Sequence, residues 1–279
     1  MARTPHTTDI TGRMILLGTG TSVGVPVIGC GCDVCHSTNP KNKRTRCSAI
    51  LGLPEGNLLI DTPPDLRQQL LREQIGVVHS VLYTHEHADH VFGLDDLRLF
   101  PFYLDGPVPL YCSDAVEQRI RRSFDYAFNP PANLHKGGVP RLEIRPISAG
   151  FLDAGPLNAR QPLEILGAAV TPIPLRHGPN LEVLGFRFGN IAYCTDTNAI
   201  PPESMKLLAD LDVLVLDALQ TRPHATHFSV DEAVEVAMQL KPRQTLLTHV
   251  CHELEHEAAC AMLPDGIDLA YDGQQLPLT

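Results

Sequence analysis

Residues 84–90 read THEHADH and set His85, His87, Asp89 and His90 within six positions at the end of an apolar run. Imidazole and carboxylate are donors that Zn, Mn and Fe accept, and imidazole is largely neutral near pH 7. On an extended chain His85 and His87 project the same way, while Asp89 and His90 lie beyond a turn and face a second point. The pattern suits two metals better than one, and two metals need further ligands. His177, Asp196 and His249 meet that need, each where an apolar run hands over to a loop: VTPIPLRH, IAYCTD and TLLTH. Two neighbouring divalent ions activate water and neutralise charge on phosphoryl oxygens, so the expected chemistry is hydrolysis. A lone His or Asp at a strand end is ordinarily a surface residue or a cap; the joint occurrence of these three after the His-rich motif changes that weighting.

A second cluster lies near the N-terminus, where GCGCDVC places Cys30, Cys32 and Cys35 around a glycine-containing turn. Three thiolates on such a turn suit a closed tetrahedral zinc site whose fourth ligand comes from elsewhere. Cys47, Cys251 and the adjacent His36 are candidates for that place, and a reduced metal-free trio is the alternative. The chain has eight cysteines and no long apolar stretch after its first Arg residues. That usage favours reduced thiols or metal ligands over a disulfide framework and reads as a soluble, cytoplasmic protein.

These residues need a scaffold. With 279 residues, 43% hydrophobic and 19% charged, the chain can bury a large core. Short apolar runs at 13–20, 47–53, 57–61, 77–85, 165–175, 183–190, 191–196, 211–219 and 244–249 read as strands, the last as the final core strand. Helical spacing appears at 65–74, at 114–124 after a Ser113 or Asp114 cap, at 201–210 after a Pro start, and at 229–241. This order is α/β or α+β. The Pro-, Gly- and Asn-rich segment 129–162 reads as a long loop or the joint between two halves. A net charge of -10 opposes broad binding to nucleic acid or an anionic membrane.

H-x-H-x-D-H with distant His, Asp and His resembles the metallo-β-lactamase superfamily in its two-metal hydrolase branch. LGTGTSVGVPVIGCGCDVC, THEHADHVFGLDDLR, CTDT and LTHVCH together are similar to the phosphoribosyl 1,2-cyclic phosphate phosphodiesterases of phosphonate catabolism. The likeness runs from residue 14 to about 273 and implies an αββα sandwich of two mixed sheets flanked by helices. The whole chain, 1–279, is then expected to form one domain with a Cys-rich zinc loop at about 29–47. The resemblance also implies one metal on His85, His87 and His177, another on Asp89, His90 and His249, Asp196 bridging them, and Asp89 orienting the attacking water. It implies His252 as the fourth ligand of a structural zinc with Cys30, Cys32 and Cys35.

His227, in RPHATHFSVDEA, matches an additional active-site His of that family and is expected to act as general acid or phosphate contact. Its neighbour His224 reads as surface. The basic run KNKRTR, Lys41 to Arg46, reads as an exposed charged loop more than as a receiver of anionic substrate. Arg98 reads as pairing with Asp95. LGTGTSVGVP lacks the order of a phosphate-binding glycine loop. The expected function is hydrolysis of a cyclic phosphodiester of a small phosphorylated sugar or a nucleotide, with two active-site divalent metals (Mn, Zn or Fe), a structural zinc and a homodimer by resemblance. The rivals are an RNA-processing nuclease of the same fold, a non-hydrolytic relative similar to the pyrroloquinoline quinone synthesis protein B, and a metal-stabilised binding protein without turnover.

Overall fold

The computed structural model describes residues 4–130, 135, 137–147 and 162–278. Two seven-stranded sheets face one another. The first runs β14 (Gln274–Pro277), β1 (Arg13–Gly18), β2 (Ser48–Leu53), β3 (Gly56–Ile60), β4 (Ser80–Leu82), β5 (Val108–Cys112) and β6 (Leu142–Pro146). The second runs β13 (Ile267–Leu269), β12 (Gln244–Thr248), β11 (Val213–Asp217), β10 (Ile191–Cys194), β9 (Leu181–Phe188), β8 (Ala168–His177) and β7 (Leu163–Ile165). In the first sheet β14, β1, β2 and β3 pair antiparallel and β3 to β6 parallel; in the second β7 to β10 pair antiparallel and β10 to β13 parallel, so both sheets are mixed.

Period-2 alternation explains why the strands are apolar almost throughout. Met14 and Leu16 of β1 enter the layer between the sheets with Leu51, Ile60, Phe186, Tyr193 and Val215. Ile15 and Leu17 face the other way and pack with Leu66, Leu70, Val116 and Ile120 from helices. The second sheet repeats this: Leu214, Leu216 and Leu247 meet Ala233 and Ala237 of the helix Val230–Leu240. Strands covered on both faces lose the polar side of an exposed sheet. The result is an αββα sandwich.

Several sequence expectations shift. The buried strand expected over 77–85 is only Ser80–Leu82 as a ladder, because its C-terminal part leaves the sheet to form the metal motif. Ser113, not Asp114, caps the helix Asp114–Ser123. β12 is not the last core strand: β13 and β14 follow it, and both are too short and polar to show a strong alternating pattern. The segment 129–162 contains β6, and residues 147–162 lead from β6 to β7, the edge strands of the two sheets; 131–134, 136 and 148–161 lie outside the described residues. Among the described residues no helix is long and apolar enough to cross a membrane.

The topology puts the C-terminal ends of β3, β4, β8, β10, β11 and β12 on one edge, the usual place for a site in such sheets. A bond from Leu184 N to Thr84 O, 3.0 Å, ties the second sheet to the first there. The end of β3 clasps the short helix Ala88–Val91: Thr62 N donates to His90 O at 2.7 Å, and Gly93 N donates to Thr62 O at 2.8 Å. A Cβ on Gly93 would stand 2.0 Å from Pro63 O, so this approach requires glycine. Gly93→Ala is therefore expected to cost about 1–3 kcal/mol by overpacking and to lower bound metal per chain. Urea unfolding and metal analysis check this; an unchanged midpoint would show that the clasp yields freely.

Candidate metal centre and active site

His85, His87 and His177 bring ring nitrogens within 4.8 Å of one another, and Asp89, His90, Asp196 and His249 form a second group with the same closeness. Asp196 stands between them. Its Oδ1 lies 3.3 Å from His90 Nε2, and its Oδ2 lies 3.3 Å from His249 Nε2 and 3.9 Å from His85 Nε2. Asp89 Oδ2 is 3.4 Å from His90 Nε2. All seven residues anticipated as active-site ligands thus meet at one sheet edge. His85 does so from the loop after β4, His87 as N-cap of the helix that bears Asp89 and His90, and the other three from the ends of β8, β10 and β12.

Which nitrogen each imidazole offers follows from its other partner. His177 Nδ1 is 2.7 Å from Thr226 O, and a carbonyl only accepts, so Nδ1 carries the proton and Nε2 presents its lone pair. Thr84 Oγ1 donates to Asp61 Oδ2 at 2.8 Å and therefore accepts from His85 Nδ1 at 3.0 Å. His90 Nδ1 donates to Asp61 Oδ2 at 2.7 Å. The Nε2 atoms of His85, His90 and His249 are buried and have no hydrogen-bond partner. Buried orphan acceptors beside carboxylates are a costly arrangement unless a cation takes the lone pairs, so the donor set fits divalent metals.

The electrostatics agree. Burial pushes the pKa of His85 well below the ordinary imidazole value and that of His249 down to about 4, which leaves both neutral as ligands must be. Burial opposes charge on His90 too, but the Asp196 and Asp61 carboxylates outweigh it and raise His90 well above its usual value. The field that would hold a proton there is the field that attracts a cation. Burial would raise Asp196, but His249 and His90 hold it well below the usual carboxylate range.

Two acidic residues escaped the sequence reading. Asp61, at the end of β3, takes bonds from Thr84 N, Thr84 Oγ1 and His90 Nδ1. Asp217, ending β11, accepts from Thr197 N and from His227 Nδ1, both at 2.7 Å. Their signal was present: each is an acid terminating an apolar run, NLLID and VLVLD. His227 itself sits against the ligands, its ring 4.7 Å from that of His177 and stacked at 4.5 Å and 12° on that of His249. Burial disfavours its cation, yet Asp217, Asp196 and Asp89 raise its pKa above the ordinary value. Burial pushes Asp217 up to about 7, and its Oδ2 accepts from His227 Nδ1 across 2.7 Å.

Cys30, Cys32, Cys35 and His252 also gather, their donor atoms within 4.8 Å of one another. His252 Nδ1 lies 3.4 Å from Cys30 Sγ and 3.3 Å from Cys32 Sγ. Ligands of a tetrahedral zinc stand roughly 3.5–3.8 Å apart, so the four residues fit such an ion. The rivals do not join them. Cys47 is fully buried against Gly20 O and Thr248, Cys251 accepts from Glu253 N, and His36 Nδ1 bonds Cys32 O. The Cys35 backbone N–H and His252 draw the Cys32 thiol down to about 6, favouring the thiolate that zinc takes.

The basic run corrects its reading as an exposed loop. Arg44 is buried and donates to Asn42 Oδ1, Leu254 O and Cys251 O at 3.2, 3.0 and 3.4 Å. Lys43 Nζ bonds Cys35 O, Lys41 pairs with Glu257 and Arg46 with Asp65. The run fastens the cysteine loop to residues 251–257. Arg98 pairs with Asp95, as expected.

A model described as Beta-lactamase superfamily domain matches residues 56–250. The crystal structure of a diphosphatase from the PhnP family superposes with a TM-score of 0.84 at 40% identity, covering 95% of this chain and 96% of that one. Zn(2+)-bound PqqB from Methylobacterium extorquens gives a TM-score of 0.73 at 20% identity over 95% and 100% of the chains, a likeness of fold. An octanoyltransferase from Porphyromonas gingivalis is 34% identical over 266 residues, 94% of this chain and 50% of that protein. The chain thus spans about half the length of that curated relative.

Replacing His252 opens the fourth place of the cysteine site. His252→Ala is expected to reduce zinc by about one ion per chain and to lower the melting temperature, while metal at the strand edge persists. Metal analysis with a thermal melt reads both; full zinc content after substitution would remove His252 from the site.

Proposed function

The chain belongs to the beta-lactamase superfamily, with the metallo-β-lactamase fold, and from that membership we propose that it is a dinuclear metal-dependent phosphodiesterase acting on a small phosphorylated sugar or nucleotide. The preferred substrate is a cyclic phosphodiester resembling phosphoribosyl 1,2-cyclic phosphate. The supporting observation is the Asp217–His227 pair: a cation-favouring imidazole that faces the ligand cluster from within ring contact. The 40% identical diphosphatase supports hydrolysis at phosphorus; the octanoyltransferase is about twice as long, so its activity is not carried over.

His85, His87 and His177 would hold one ion, Asp89, His90 and His249 the other, with Asp196 between them. When bound, two divalent ions supply an activated water and neutralise charge on the phosphoryl oxygens. The chain's own groups do the rest. Asp89, with a side chain 14% exposed, can accept a hydrogen bond from the attacking water. His227, its Nδ1–H bound to Asp217, has Nε2 to face substrate. As the cation it gives its Nε2 proton to the departing sugar oxygen while the P–O bond breaks, becomes neutral, and is recharged from solvent.

Metal removal followed by separate readdition of Mn and Zn should restore turnover of ribose 1,2-cyclic phosphate and of bis(p-nitrophenyl) phosphate. His227→Ala is expected to slow the cyclic sugar by about 10²–10⁴, since its alkoxide needs a proton, and to slow the nitrophenyl ester far less. Equal losses on both would assign His227 to binding alone.

The pH profile tests the pair. The acid form is present below the raised pKa of His227 and is lost as pH rises through it. Asp217→Asn removes the main attraction for that proton, so the alkaline fall in kcat should move to lower pH. An unmoved limb would separate Asp217 from the acid.

A further inference from the structure

His224 reads as surface in the sequence, and it is exposed, yet its place is not arbitrary. Its ring lies 5.3 Å from that of His227, tilted by 40°, and extends outward the row that begins with His249 and His227. The loop that carries it is pinned at two points. Asn198 Nδ2 donates to Ala225 O at 3.1 Å while its Oδ1 accepts from Gly178 N, and His177 Nδ1 donates to Thr226 O at 2.7 Å. A residue fastened through the partner of a candidate metal ligand keeps a fixed position at the mouth of the site.

The orientation of its polar atoms is also fixed. Thr226 N donates to His224 Nδ1 at 3.4 Å, and Thr226 Oγ1 lies 3.2 Å from the same atom. A backbone N–H can only donate, so Nδ1 accepts and the proton of the neutral ring is on Nε2. That N–H has no partner among the described residues, and its ring neighbours that of His227. Arg222, two residues earlier, is held by Glu253. His224 is thus a donor of this loop with its N–H open to a ligand.

We propose that His224 is a substrate-binding residue whose Nε2–H donates to a second phosphate, the one adjoining the phosphoryl group under attack. The proposal rests on the phosphodiesterase reading. It narrows the substrate class to compounds with two phosphates close together, as in a diphosphate or a phosphorylated cyclic ester. One ring step of 5.3 Å outward from His227 is the scale on which oxygens of neighbouring phosphates are separated. The need is physical: a chain of net charge -10 repels such an anion unless donors are placed locally.

The test compares ADP with AMP, which differ by one phosphate, in calorimetric titration of the metal-loaded protein. His224→Ala should weaken ADP five- to tenfold more than AMP, about 1–1.4 kcal/mol, and His224→Gln, whose amide can still donate, should recover part of the loss. Equal weakening of both ligands, or no change in either, would overturn the assignment. Turnover of bis(p-nitrophenyl) phosphate by the same wild-type preparation is measured alongside. Its absence would sink the phosphodiesterase reading, while the ADP to AMP ratio still decides whether His224 meets a second phosphate.

Discussion

At the strand edge, His85, His90 and His177 have Nδ1 occupied so that Nε2 is not. Asp61 shows the constraint most fully: it takes His90 Nδ1–H and both donors of Thr84, and Thr84 in turn accepts from His85. One carboxylate thereby fixes the ring orientation of two ligands that belong to different metal groups. Thr226 O does the same for His177, with a backbone carbonyl in place of an acid. These partners also raise the basicity of the ligating nitrogens, which is how outer residues tune a metal site. Removing any of them frees a ring to turn and trade its lone pair for a proton.

Backbone strain marks the same places. Asp61, Asp196 and His249 have φ of 62°, 54° and 61°, left-handed values that cost non-glycine residues energy. Each follows directly from a strand end, where a sharp reversal turns the side chain back over the edge of the sandwich. A core packed on both faces of both sheets is stiff enough to hold such turns. The cysteine loop adds a second brace. Val250 N bonds Thr19 O, Arg44 grips the carbonyls of Cys251 and Leu254, and His252 closes on the thiols, so the residues after His249 are secured from three directions.

The sequence disclosed the donor set better than its supports. Imidazoles and carboxylates at His85, His87, Asp89 and His90 stand out because ligand types crowd together, and His177, Asp196 and His249 because each ends an apolar run. Asp61 and Asp217 have the same end-of-strand placement, but a single acid after a strand is common, and only the fold shows which imidazole it faces. Arg44 was illegible for a different reason. Charge runs are normally solvated, and nothing in KNKRTR says that one guanidinium will meet two carbonyls more than two hundred residues away. β13 and β14 went unseen because three or four residues carry little periodicity; their pairing is decided by β12 and β1.

Charge placement carries the argument from scaffold to substrate. The acidic residues of the site face inward: Asp61, Asp196 and Asp217 are buried and spend their charge on histidines. The row His249, His227 and His224 runs the other way, from a buried candidate ligand to an exposed side chain. Along that row the partner of Nδ1 changes from a carboxylate at His227 to a backbone N–H and a hydroxyl at His224, so Nδ1 changes from donor to acceptor. Within one row of the same side chain, the atom hydrogen-bonded to Nδ1 thus decides which nitrogen of His227 and of His224 accepts and which donates.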